Sequence, residues 1–189
     1  MSIDLNLTTD RLRLRPWRDS DFAAFAALNA DPRVMEYFPN TLSRDESDAK
    51  CVRIKQHFDR RGFGMWAVEA VGVADFIGVT GLVVPDFDLP FTPCIEVGWR
   101  LAYEHWGRGY ATEAARAAVD YGFSELHADE IVAYTVPHNR RSRRVMEKLG
   151  MTRSPAEDFD HPKVDEGHPL RRCVLYRLAR AAWKMKRSA

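Results

Sequence analysis

The strongest constraint on the fold is the order in which the spacing of apolar residues changes along the chain. Arg11-Leu12-Arg13-Leu14-Arg15 alternates charged and apolar side chains, the period of a half-buried strand, and Pro16 closes it. Asp19 or Ser20 is placed to cap a helix in which Phe22, Phe25, Ala26 and Leu28 recur at helical spacing until Asp31-Pro32 stops it. Ser43-Arg44-Asp45-Glu46 has the pattern of a capping box and opens a second helix reaching about residue 59, before Gly62. Two runs rich in β-branched and aromatic residues, 65–71 and 76–84, are joined through Gly72 and Asp75. After a turn-rich stretch at 85–93 the alternation returns. Ile95, Val97, Trp99 and Leu101 face one way, and Glu96, Gly98 and Arg100 the other.

A helix over residues 109–126 follows, with Ala111, Ala114, Ala115, Ala118 and Val119 as its buried stripe. A short strand at 131–136 ends at Pro137, and Asn139 caps a helix that Gly150 stops. A polar loop at 154–169 leads to a last strand at 170–178, and residues 184–187 read as a solvated helix end. This order predicts an α+β (mixed α/β) fold. Without a repeat or a Gly/Ser-rich linker, residues 1–189 are expected to form a single domain.

Composition limits what such a domain does. With 28 Lys+Arg against 27 Asp+Glu the formal charge is +1, which argues against a nucleic-acid or membrane-surface partner. No basic segment followed by an apolar run opens the chain, and no stretch approaches the roughly 20 apolar residues of a membrane span. The three cysteines, Cys51, Cys94 and Cys173, form neither a disulfide framework nor a CxxC site, which suits a reducing cytoplasm.

The most informative segment is His105-Trp106-Gly107-Arg108-Gly109-Tyr110-Ala111-Thr112-Glu113-Ala114. Two glycines directly before a helix let backbone N–H groups converge, and the helix N-terminus adds partial positive charge. That combination suits a pyrophosphate, although a tight loop that merely opens a helix has the same pattern. It is not a dinucleotide fingerprint, because the third glycine of GxGxxG is absent and four residues separate the glycines from the strand. No GxxxxGK[ST] is present, so a P-loop is excluded.

WGRGYATEA (106–114), preceded by IEVGWRL (95–101) and followed by Asn139-Arg140-Arg141-Ser142-Arg143-Arg144-Val145-Met146-Glu147-Lys148-Leu149-Gly150, resembles the GNAT N-acetyltransferases. TTDRLRLRPWRDSDF (8–22) is similar to the opening of the RimJ/RimL branch, which acetylates ribosomal-protein N-termini. The resemblance implies a twisted, mostly antiparallel central sheet with a splayed strand pair, flanked by helices. It implies acetyl-CoA as co-substrate without a metal, and a primary amine as acceptor, either a protein N-terminus or a small molecule. Gly107, Arg108, Gly109, Tyr110, Ala111 and Thr112 map onto the pyrophosphate loop, with Arg108 as a charged partner. The backbone of Trp99, Arg100 and Leu101 maps onto the edge that pairs with pantetheine, and Asn139 onto a second contact to that arm. A monomer or homodimer fits this family.

Two positions depart from the family. Trp106 replaces the usual Gln or Arg at the start of the loop, and Met146 stands where many members carry a tyrosine acid, seven residues after the asparagine. Ser142, which shares a helix face with Val145 and Leu149, offers a replacement hydroxyl for the CoA sulfur; bonding to local backbone is the alternative. Glu96 is the candidate base, since burial would raise its pKa, or else a structural glutamate paired across the sheet. A backbone N–H near Trp99 is the candidate oxyanion donor. Loss of the tyrosine keeps open a CoA-binding sensor or pseudoenzyme of the same fold.

His161, His168, Asp158, Asp160, Asp165 and Glu166 share the late polar loop without the spacing of a metal template, and read as a solvated loop on the acceptor side. Its acidity, set against Arg140, Arg141, Arg143 and Arg144, suggests an acidic acceptor end and a basic cofactor end. Phe38, Phe63 and Trp66 are expected in the core or the acceptor-pocket wall.

Overall fold

The computed structural model describes residues 6–187, so the N-terminal leader reading falls largely outside the described residues. The chain runs β1 (Leu7–Thr8), β2 (Leu12–Arg15), α1 (Asp21–Ala30), α2 (Arg44–Arg61), β3 (Met65–Ala70), β4 (Ala74–Val83) and β5 (Glu96–Leu101). It continues through α3 (Tyr110–Ser124), β6 (Glu130–Thr135), α4 (Arg140–Leu149), β7 (Thr152–Arg153), β8 (Phe159–Asp160), β9 (Arg172–Ala179) and α5 (Arg180–Arg187). The strands form one sheet in the order β1-β2-β3-β4-β5-β6-β9-β7, with β8 pairing β9 beside that path. Every pairing is antiparallel except β5 with β6. The expected α+β fold, mostly antiparallel with a splayed pair, is the fold observed. Among the described residues no helix is long and apolar enough to cross a membrane.

Local chemistry explains the element ends. Ser43 and Glu46 complete both halves of the capping box, and Gly62 and Gly150 end their helices in the left-handed region. At α1 the expected side-chain cap is absent. Ser20 occupies the cap position, but its hydroxyl makes no cap bond. Asp21 accepts the Arg18 N–H at 2.7 Å in its place, because its carboxylate is already held beside the helix start by the Arg15 guanidinium. The C-terminal helix begins earlier than residues 184–187 suggested. Trp183 anchors it, stacking on Phe123 at 5.1 Å and donating its indole N–H to Asp120 at 2.6 Å.

Two parallel neighbours need a crossover, and α3 supplies it between β5 and β6. Its inner face is small: Ala114, Ala115, Ala118 and Gly122, where an added Cβ would lie 2.7 Å from Ile131 Cδ1 and 2.9 Å from Leu82 Cδ1. Helix and sheet therefore approach closely over the core of Leu82, Val97, Ile131 and Val174. A second core under α1 gathers Trp17, Phe25, Leu28, Cys51 and Val79. Phe63 and Trp66 are core residues and Phe38, 38% exposed, lines the large cavity, all as expected.

One buried ionic cluster fastens the N-terminal half. Arg15 is 2% exposed and pairs bidentately with Asp21 at 2.8 Å, reaches Glu69 at 3.2 Å and donates to the Asp75 carbonyl at 2.7 Å. β2, β3, the start of α1 and the start of β4 thus share one side chain. Removing one partner of a buried pair leaves an uncompensated charge, so Asp21→Ala is expected to lower unfolding stability by about 3 kcal/mol in urea titration. A loss below about 1 kcal/mol would mean that Glu69 alone satisfies Arg15.

Candidate active site

The site begins where β5 and β6 part. β5 pairs with β4 along its whole length, from Gly78↔Leu101 to Val83↔Glu96, but meets β6 only at Glu96↔Val132. There the Val132 N–H donates to the Ile95 carbonyl at 2.9 Å. Backbone polar groups alternate sides along a strand, so those of Val97, Trp99 and Leu101 also face the gap, whereas the Gly98 carbonyl faces β4 and accepts from Thr80 Oγ1 at 3.0 Å. The Leu101 carbonyl is already taken by the Trp106 indole N–H at 2.8 Å. Left facing the gap without a strand partner are the Val97 carbonyl, both backbone groups of Trp99 and the Leu101 N–H, an edge that overlaps the expected 99–101 and begins two residues earlier. A cavity of about 950 Å³ opens from this gap.

At one end of the cavity lies the glycine loop. Gly107 and Gly109 have φ of 74° and 83°, a region costly for any residue with a Cβ, and Gly109 is the residue before the first turn of α3. The loop is braced from behind: Arg11 donates to the Arg108 carbonyl at 3.0 Å and to Glu113 at 2.7 Å, and Thr9 donates to Glu113 at 2.6 Å. Gly107, Gly109, Tyr110, Ala111 and Thr112 line the cavity, as expected. Arg108 does not. Its side chain is exposed and outside the wall, because the two left-handed glycines turn its carbonyl toward Arg11. The cations on this wall come from α4, namely Arg140, Arg141, Arg144 and Lys148. Arg143 points away, to the Tyr176 hydroxyl at 3.2 Å and the Pro137 carbonyl at 3.0 Å. Arg141 also stacks on Trp106 at 4.6 Å and pairs with Glu36 at 2.6 Å. A long ligand with phosphates at one end and amides along its arm fits a cradle of this shape and charge.

Near the parting point, the Glu96 side chain lines the cavity and is hydrogen-bonded by the Tyr134 hydroxyl. Burial pushes its pKa up to about 7, with the Tyr134 bond acting in the opposite direction. Burial and the adjacent carboxylate raise the Tyr134 hydroxyl in turn. Tyr134 was missed in the sequence, where it is one aromatic residue in a strand, and only its meeting with Glu96 across the gap distinguishes it. On α4, Asn139 Oδ1 accepts the Ser142 N–H at 3.1 Å while its Nδ2 donates to Thr135 Oγ1 at 3.0 Å, so it caps the helix and ties it to β6. Ser142 and Asn139 line the cavity together, and Met146 is 2% exposed at its inner wall.

The opposite end of the cavity lies under α1 and α2. Arg100 leaves β5 on the Glu96 face and is enclosed by Asn29 Oδ1, the Met35 sulfur at 3.1 Å and the ring of Phe38 at 4.7 Å. Its Nε is buried with no hydrogen-bond partner, and burial lowers its pKa to about 10. Lys50 of α2 lines the same space, and burial followed by repulsion from Arg100 and Arg53 lowers it to about 8. Lys50 also escaped the sequence reading; its signal was a position beside Ser47 and Cys51 on the buried stripe of α2.

The acidic loop contributes differently from expectation. Asp158 pairs with Arg153, Asp160 with Arg172 at 3.2 Å and Glu157 with Arg177 at 2.8 Å. What this segment presents to the cavity is His161, Lys163 and Val164. Among the described residues the wall carries seven lysine and arginine side chains and one carboxylate, Glu96.

A carboxyl whose folded-state pKa lies above its ordinary value destabilises the native state progressively as pH rises toward that folded value. Glu96→Gln is therefore expected to raise Tm by a margin that grows between pH 5 and pH 8. A margin independent of pH would show that Glu96 is ordinarily solvated.

The comparison with known proteins agrees with this geometry. The Acetyltransferase (GNAT) domain model matches residues 11–152. The chain is 37% identical over 154 residues to YkkB of Bacillus subtilis, covering 80% of this chain and 87% of that protein. It is 30% identical over 170 residues to the ribosomal protein uS5-alanine N-acetyltransferase of Escherichia coli, 82% of each chain. A crystal structure of an acetyltransferase (GNAT family) from Bacillus anthracis has a TM-score of 0.77 at 24% identity, covering 93% of this chain and 99% of that one. This chain thus belongs to the GNAT acetyltransferases, in their RimJ-like branch, and is an acetyl-CoA-dependent acetyltransferase.

Proposed function

We propose that the chain, acting as one cytoplasmic domain, transfers acetyl from acetyl-CoA to a primary amine by direct attack in a ternary complex. The observation that carries this reading is Glu96, buried where β5 and β6 part, hydrogen-bonded by Tyr134 and poised near neutrality. A base with a pKa near the working pH combines an ionised fraction with useful proton affinity.

In this reading the glycine loop, the α3 N-terminus and the α4 arginines hold the phosphates of acetyl-CoA, and the open Val97–Trp99 edge pairs with its amide arm. Asn139 adds a contact to the same arm. As the amine nitrogen bonds to the thioester carbon, its proton passes to Glu96, directly or through one water. The Trp99 N–H, turned into the gap, stabilises the developing oxyanion. The C–S bond then breaks, and the Ser142 hydroxyl donates a hydrogen bond to the departing thiolate while relaying to it a proton taken from water, in the place that Met146 cannot fill. The E. coli relative acts on the alanine of a ribosomal protein; a protein N-terminus or a small amine is the acceptor class here.

Thiol release from acetyl-CoA across a panel of amines tests the reading. kcat is expected to rise with pH through about 7, and Glu96→Gln to lower kcat by about 100-fold or more with little change in KM for acetyl-CoA. Tight CoA binding without turnover on any amine would leave a sensor instead. Tyr134→Phe removes the bond that lowers the Glu96 pKa, so the midpoint of the kcat profile is expected to move to higher pH. A midpoint unchanged in Tyr134→Phe would separate the two groups functionally.

A further inference from the structure

We propose that the acceptor is a free amino acid or closely related amino carboxylate, whose carboxylate is held between Arg100 and Lys50. The inference rests on the acetyl-transfer reading above and names the substrate class for the same cavity.

Two half-buried cations, Lys50 and Arg100, line one space, and neither forms an ion pair with a described residue. Arg100 touches an amide oxygen, a thioether and aromatic rings, none of which neutralises it, and its Nε hydrogen has no acceptor. Lys50 beside it makes no ion pair with any described residue. A charge withdrawn from water without a partner is costly, and elsewhere this protein avoids the arrangement: Arg15, 2% exposed, is matched by Asp21 and Glu69. The guanidinium fork suits a planar carboxylate, and the ammonium adds a second donor from the α2 side.

The position of the pair fits an acceptor better than CoA. Arg100 shares a strand face with Glu96 and packs against α1 through Asn29, whereas the remaining cations of the wall come from α4 and the late loop. Between Glu96 and Arg100 on that face stands Gly98, where an added Cβ would meet only the Met65 side chain, at 3.9 Å and 4.0 Å. Gly98 therefore leaves an open floor between a base and a cation whose Cα atoms lie about 13 Å apart by strand geometry. An amine lying over Gly98 with its nitrogen toward Glu96 directs its carboxylate to Arg100. The late loop, which presents Lys163 and no carboxylate to the cavity, does nothing to repel such an anion.

The test compares free amino acids with their carboxamides, which keep the amine and lose the negative charge. In thiol release at saturating acetyl-CoA, the acid is expected to exceed its amide at least tenfold in kcat/KM, and Lys50→Met to bring the ratio within about twofold. Amides or peptides that match or surpass the acids would overturn the proposal. So would a Lys50→Met chain that raises KM for acetyl-CoA and leaves the ratio intact, since the cations would then belong to the cofactor. Calorimetric titration of N-acetyl amino acids and their amides into the CoA-loaded, unsubstituted protein gives a readout that needs neither turnover nor a variant. Tighter binding of the acids without thiol release on any amine would overturn the transferase reading while the anion site stands; equal or absent binding of both would overturn the anion site.

Discussion

The parting of β5 from β6 after a single shared register governs the rest of the molecule. A parallel pair inside an otherwise antiparallel sheet needs a crossover helix, and α3 brings its N-terminus back to the mouth of the gap. Strands that separate leave backbone groups without a ladder partner, and such groups must be met by something. Trp106 closes one end of that edge through the Leu101 carbonyl, and Asn139 fastens α4 to the far strand through Thr135. The cofactor wall is thus a consequence of topology: an open strand edge, a helix N-terminus and a cationic helix meeting where the sheet fails to close.

The protein buries charge in two contrasting ways. Around Arg15 the charges are matched and the backbone carbonyls nearby are used, so the cluster joins β2, β3 and α1 without reaching the cavity. Around Glu96, Lys50 and Arg100 burial is not matched, and all three groups are displaced from their ordinary pKa values toward the neutral form. Desolvation is the largest cause in each case. Its concentration on one cavity wall is what separates that wall from the remainder of the surface, where ion pairs such as Arg44–Asp48 are solvated and weak.

Much of this was legible in the residues. The capping box at Ser43, the glycine stops at Gly62 and Gly150 and the alternation of 95–101 depend on local backbone preference, and each element formed close to its expected bounds. The two-residue strands β1, β7 and β8 escaped notice because so short a segment carries no period. The course of the Arg108 side chain was hidden for a related reason. Its position between two glycines suggested a phosphate contact, but the direction of its side chain follows from left-handed neighbours and from Arg11, which arrives from a distant strand.

The sequence by itself determined the longer elements, their order, the glycine loop and the face of β5 that carries Glu96, since all of these follow from interactions among near neighbours in the chain. Only the tertiary structure decided what those residues became. Tyr134 reached Glu96 across the gap, Lys50 reached Arg100 from α2, and arginines paired with Glu157, Asp158 and Asp160 of the acidic loop. The reason is that a titratable group takes its strength from its burial and its partners, and in this fold both are supplied by segments far away along the chain.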